Sequence, residues 1–267
     1  MNLQGHIKYL QMVIARLGNI VFLCITLIYN GYRMDNLQKY KPTDKMVDLI
    51  SDDYSLLQVM SRFGLSLGFG DKTVSEVCEM NHVDCRTFLA VVNFMAEGFS
   101  RLSGDHDEIS IPALIDYLRQ AHIYFLDFCL PSIRRKLIEA IDCSQDDVAF
   151  LILKFFDEYM REVRRHMDYE EKTVFKYVDA LLQGNAPRNY QISTFSKHHD
   201  QVGETLTELK KLIIKYCPAK ANVNLLNAAL FDIYACEEGL ESHCKVEDYI
   251  FVPAILNLER RMIENEK

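Results

Sequence analysis

His166-Met167-Asp168-Tyr169-Glu170 and, further along, His243-Cys244-Lys245-Val246-Glu247 each set a histidine and a glutamate four residues apart. An α-helix turns about 100° per residue, so positions i and i+4 lie roughly 40° apart on one face, one turn along the axis. Each pair can therefore project both side chains into the same interior. One such pair is also an ordinary surface ion pair. Two pairs on two long helices supply two imidazoles and two carboxylates, and carboxylates can bridge two metal ions. The repetition points to a bundle of helices packed around a polar centre.

The flanking sequence has the periodicity that such a bundle needs. From Ser110 to about Arg261 the chain reads as four long amphipathic helices. The first opens at Ser110, with Pro112 in a first turn where its missing N–H costs nothing, and runs to about Ala140. The second starts at Ser144, with Asp147 as a shortened capping box, and continues to about Gln183, before Gly184-Asn185-Ala186-Pro187. The third begins near Ser193 and ends before Pro218. The fourth runs from about Asn222 to Phe251, where Pro253 is expected to interrupt it ahead of a short helical tail. Long helices joined by brief links predict an all-α, antiparallel four-helix bundle over 110–261.

Upstream, residues 43–100 predict a small helical module, with Asp44, Asp52 and Thr73 as N-caps and a glycine-rich turn from Phe63 to Asp71. A polar link, Arg101 to Glu108, follows it. Residues 1–33 contain an apolar run, Leu17 to Tyr32, that is short for a membrane span of about 20 residues and is broken by Gly18, Asn19, Asn30 and Gly31. The expectation is that translation begins at Met34, with a membrane anchor or a docked extra helix as the alternatives.

Composition narrows the function classes. The chain has 267 residues, 49% hydrophobic and 25% charged, which argues against long disorder. A net charge of −8 without a dense Lys/Arg run does not suit a nucleic-acid binder, which must displace counterions from phosphate. The eight cysteines form no C-x-x-C pair and no secreted framework, so reduced thiols in the cytoplasm are expected.

His122 on the first helix and His199 on the third are the remaining inward candidates, giving each helix at least one ligand. Adjacent helical residues point about 100° apart, so His199 and His198 cannot both face the centre. Imidazole plus carboxylate without thiolate suits iron, with manganese the second choice. Gly203 and Gly239, one turn from His199 and His243, are expected to leave room beside the metal. Glu162 is left open between a supporting contact and a solvated charge, and His6, His82 and His106 are expected at the surface.

These motifs resemble the hemerythrin-like di-iron proteins of the iron–sulfur cluster repair family (RIC, YtfE/ScdA type). His166 through Glu171 followed by Val174-Phe175 matches its H-x-x-x-E-E motif, and His199-Asp200-Gln201-Val202-Gly203 its H-D-x-x-G. His243 through Phe251 is close to its H-x-x-x-E-x-x-x-F-P, with Val252 inserted before Pro253. The resemblance implies a hemerythrin-like bundle in which His122, His166, His199 and His243 are terminal ligands and Glu170 and Glu247 bridge two irons. It also implies NO or O₂ as small ligands, damaged iron–sulfur proteins as clients, and a role in nitrosative or oxidative stress; a sensor or store without turnover is the alternative. The sequence departs from the family where Gly68 and Phe69 stand in place of a cysteine pair, and Cys78 and Cys85 lie further on. The spacing from His122 to Leu130-Pro131 is one residue off.

Overall fold

The computed structural model describes residues 39–97, 109–141, 147–185, 190–197, 202–217 and 220–265, with the backbone alone for 196, 197, 202–204 and 265. The readings of residues 1–33, of Arg101–Glu108 and of the Ser144 cap lie outside these. Four helices precede the bundle: α1 (Met46–Asp52), α2 (Leu56–Arg62), α3 (Val74–Met80) and α4 (Cys85–Glu97). At α3 the capping box is complete, since Thr73 accepts from the Glu76 amide and Glu76 accepts from the Thr73 amide. Asp44 and Asp52 do not cap. Lys45 and Ser55 hold those positions; Asp44 instead accepts from the Lys41 amide, and Asp52 ends α1. Between α2 and α3 the chain turns through Gly64, Gly68 and Gly70, all at positive φ, where side chains other than glycine are strained.

The long helices follow. Ser110 caps α5 (Ile111–Ile123), which runs on through a π-helical turn, Tyr124–Cys129, into α6 (Leu130–Ala140). α7 (Asp147–Tyr169) passes through a second π turn, Glu170–Val174, into α8 (Phe175–Leu182). A 3₁₀ segment, Ile192–Lys197, and α9 (Val202–Tyr216) occupy the place of the third helix. α10 (Val223–Val246), capped by Asn222, continues through a third π turn, Glu247–Phe251, into α11 (Val252–Asn265).

The expected interruption at Pro253 is a change of winding rather than an end. Pro253 is the second residue of α11, as Pro131 is of α6, and each follows a π turn directly. A proline there lacks an N–H where the hydrogen-bond pattern is already changing from i→i+5 to i→i+4, so the helix continues.

α6, α7, α9 and α10 pack in a closed ring, each against two neighbours. Their directions follow from paired residues. His122 meets Glu171 and Arg134 meets Asp157, so one number falls as the other rises; His122 with His243 and Lys136 with Asp232 repeat this across the other seam. These neighbours are antiparallel. Among the described residues there is no strand, only an isolated bridge between Lys45 and Thr73, and no helix is long and apolar enough to cross a membrane.

Two apolar clusters fill the interior. One joins the first four helices to Leu114, Leu118, Val174, Phe175, Val246 and Phe251. The other holds Ala121, Phe125, Val163, Met167, Cys236 and Leu240. Along α5, α7 and α10 the change from one cluster to the other falls at the same level. That level carries the histidines and glutamates.

Candidate metal centre

His122 is the last residue but one of α5, His166 lies one turn before the end of α7, and His243 lies one turn before the end of α10. Glu170 and Glu247 each open a π turn. Such turns concentrate at functional sites because one extra residue re-aims the side chains around it. His122, Glu170, His243 and Glu247 are all buried, the last three fully.

Glu170 is the hub. Its Oε1 lies 2.7 Å from His166 Nε2, while its Oε2 lies 2.7 Å from His122 Nε2 and 3.9 Å from His243 Nε2. His243 Nε2 is in turn 3.3 Å from Glu247 Oε1. One carboxylate thus faces two different groups of imidazoles with its two oxygens. Ligand atoms from His122, Glu170, His243 and Glu247 fall within 4.8 Å of one another; so do those of His166, Cys244 and Glu247.

These close approaches are not hydrogen bonds. Both oxygens of Glu170, both ring nitrogens of His243 and Nε2 of His122 are shielded from solvent and make none among the described residues. Leaving such groups unsatisfied costs about 1–3 kcal/mol each, more when charged. Side chains that crowd together without donor-to-acceptor alignment are aimed at a common point. Nitrogen and oxygen atoms each about 2.1 Å from one ion lie about 3 Å apart when at right angles. The donor set and the unsatisfied atoms therefore fit a metal.

Electrostatics agree with a cation. Burial favours the neutral form of Glu170, but His122, His166 and His243 outweigh it and hold the carboxyl well below its usual range. Burial likewise opposes charging His122, yet Glu170 and Glu171 raise it to about 9. Desolvation opposes charge on His243 too, and Glu247 with Glu170 raises it nonetheless. The carboxylates of Glu170, Glu171 and Glu247 thus draw positive charge to this point.

The surroundings fix the ring orientations. His122 Nδ1 lies 3.0 Å from Glu171 Oε1, and Glu171 Oε2 accepts from Arg119 Nε at 3.3 Å. A carboxylate behind a histidine sets which nitrogen carries the proton and how the ring points. Phe175 stacks on the other side of His122, 5.6 Å between centroids, and Phe125 meets His243 edge-on at 6.2 Å.

Five of the six expected site residues, His122, His166, Glu170, His243 and Glu247, converge. His199, with His198, lies outside the described residues. Glu162 is exposed and accepts from Thr205 Oγ1, which makes it a solvated charge. At Gly239 a Cβ would meet Phe125 Cζ at 3.3 Å and Gln58 Oε1 at 3.4 Å, so this glycine makes room for the packing of Phe125, which lies against His243. His82 is exposed; His6 and His106 lie outside the described residues. Glu171 and Cys244 escaped the sequence reading. For Glu171 the signal was the second glutamate of the H-x-x-x-E-E motif; for Cys244 it was only its place beside His243.

No curated protein matches the chain. Residues 113–255, more than half of it, match the hemerythrin HHE cation-binding domain, and the convergent residues all fall within that span. With its long helices closed around a buried His/Glu cluster, the chain belongs to the hemerythrin HHE cation-binding family.

Proposed function

We propose that this protein holds a non-haem di-iron centre on His122, His166, Glu170, His199, His243 and Glu247, and serves in the repair of iron–sulfur clusters damaged by nitrosative or oxidative stress. The observation that carries the reading is Glu170: a buried carboxylate whose two oxygens each lie 2.7 Å from a different imidazole, as suits a bridge between two ions. Imidazole and carboxylate donors favour iron over softer metals, with manganese second. The narrower placement in the RIC, YtfE/ScdA type is supported by the His166–Glu171, His199–Gly203 and His243–Phe251 motifs. In this reading 110–261 is the iron-holding bundle and 43–100 an accessory module.

Bound iron would supply an open position for NO or O₂ and one-electron redox chemistry. The chain's residues hold and shelter it. Glu170 and Glu247 would hold the ions with the histidines, Glu171 fixes the His122 ring, and Phe175 and Phe125 wall that side off from water. Hydrophobic walls around such a site control solvent access and its dielectric.

The test is iron content and the absorption spectrum of the full chain beside a His166→Ala/His243→Ala double variant. Two irons per chain, with charge-transfer bands that the variant loses, are expected. Iron-free protein, or iron that the double variant keeps, would overturn the reading. Where iron is present, reversible NO binding without restored activity of a damaged cluster protein would replace repair by a sensor or store.

A further inference from the structure

We propose that Cys244 is a thiolate ligand to the ion on the His166 side of the centre, so that the two metal positions differ in chemistry. The inference rests on the metal-centre reading and goes beyond its His/Glu donor set. Cys244 Sγ, a His166 ring nitrogen and a Glu247 oxygen lie within 4.8 Å of one another. A metal–sulfur bond of about 2.3 Å and a metal–nitrogen bond of about 2.1 Å allow about 4.4 Å between donors on one ion. That figure holds for opposed donors; a tetrahedral ion sets them about 3.6 Å apart, so the group closes by up to about 1.2 Å on binding, within the reach of side-chain torsions.

Helix geometry assigns Cys244 to one side. It follows His243 directly, so the two side chains point about 100° apart around α10. His243 faces His122 and Phe125; Cys244 is grouped instead with His166 of α7. The same place is addressed by Glu170 Oε1, which is fully buried, makes no hydrogen bond among the described residues and lies 2.7 Å from His166 Nε2.

Charge favours the assignment. Two divalent ions against Glu170 and Glu247 leave two positive charges in a buried site, and uncompensated buried charge is costly. A thiolate removes one of them. On binding, the S–H bond breaks, the sulfur–metal bond forms and the proton leaves to solvent, with no change of oxidation state. Sulfur also shifts the preference of that position toward softer ions such as Fe(II), Co(II) or Zn(II), while the His122/His243 position stays a nitrogen and oxygen site.

The test is titration of the metal-free full chain with Co(II), read by sulfur-to-cobalt charge transfer in the near ultraviolet. Wild type is expected to bind two ions and develop the sulfur band. Cys244→Ser and Cys244→Ala are expected to lose the band, while Cys129→Ser and Cys78→Ser keep it. Two bound cobalt ions without a sulfur band, or a band that survives in both Cys244 variants, would overturn the proposal and leave the His/Glu centre standing. Absence of any cobalt binding would overturn both.

Discussion

At the residue scale the centre depends on buried atoms that no hydrogen bond from the described residues satisfies. Glu170 is fully buried among three imidazoles and makes no hydrogen bond with them, so an ion that meets its oxygens binds the folded chain far better than the unfolded one. A ligand at one hundred times its Kd stabilises by about 2.7 kcal/mol, which in a domain of this size shifts the Tm by about 5–10 °C. Chelation is therefore expected to lower the Tm of metal-loaded wild type by that much, and to leave Glu170→Gln unchanged; calorimetry with and without chelator decides it. Glu171 acts one bond further out. Glu171→Gln removes the charge behind His122 Nδ1 and is expected to weaken metal binding about 10- to 100-fold without unfolding the bundle. Competition with a chromogenic chelator measures this, and unchanged affinity would reduce Glu171 to a surface partner of Arg119. The i, i+4 histidine–glutamate pairs were legible in the sequence because both ends of each pair lie on one helix and one face. The pairing of Glu171 with His122 was not, since the two sit on different helices, and neither was the Phe125 ring beside Gly239.

At the level of elements, the three π turns are what the sequence reading lacked, although a trace of them was there. Tyr117, Ala121, Phe125, Cys129, Ile133 and Leu137 are all buried and succeed one another at strict four-residue steps. An α-helix drifts about 40° with each such step, so six in a row cannot share one face unless a wider turn intervenes. Read as simple amphipathicity, the stretch predicts only a helix. The consequence can be tested by deletion. Removing exposed Lys172 from the Glu170–Val174 turn takes out the extra residue, lets the turn wind as α, and keeps the flanking apolar positions facing inward. That variant is expected to fold with wild-type helix content and to lose metal. Deleting exposed Arg161 within α7 has no extra residue to absorb it and rotates Ile152, Phe156 and Tyr159 out of the core by about 100°. Each of the apolar two is worth about 1.5–3 kcal/mol, enough together to consume much of a domain's 5–15 kcal/mol, so this variant is expected to unfold. Circular dichroism with metal analysis separates the outcomes; metal retained after the Lys172 deletion would remove the turn from the site. The α3 cap gives a pH-dependent counterpart. The Thr73 amide and hydroxyl hold the Glu76 carboxyl below its usual range, so its contribution is present above the ordinary carboxylate value and is lost as pH falls through the lowered one. Protection of the α3 amides, corrected for the intrinsic pH dependence of exchange, is expected to fall in acid in wild type and to stay level with pH in Glu76→Gln.

Over the whole molecule, the question is whether the first four helices merely accompany the bundle or help to hold its centre. Their core is continuous with one end of the bundle: Phe88 packs edge-on against Phe63, centroids 5.4 Å apart, and Phe63 lies 4.8 Å from Tyr117 of α5. Arg62, buried at the end of α2, donates to the Tyr117 hydroxyl and lies 5.2 Å from the Phe125 ring, which itself touches His243. A path of direct contacts thus runs from α2 through Phe125 to the centre, and Gly239 leaves the space that lets Phe125 and Gln58 meet there. None of this was legible in the sequence, where a glycine-rich turn and a polar link suggested a self-contained module; contacts between elements distant in the chain leave no periodic signal. If the core is shared, damage to it far from the centre should be felt at the centre. Phe88→Ala opens a cavity in a fully buried position and is expected to cost about 3–5 kcal/mol. Because that cost falls on one cooperative unit, the chain is expected to melt in a single transition lowered by about 6–20 °C, with metal released in the same step. Two separate transitions, the later one carrying the metal, would show instead that the bundle keeps its site without help from the helices that precede it.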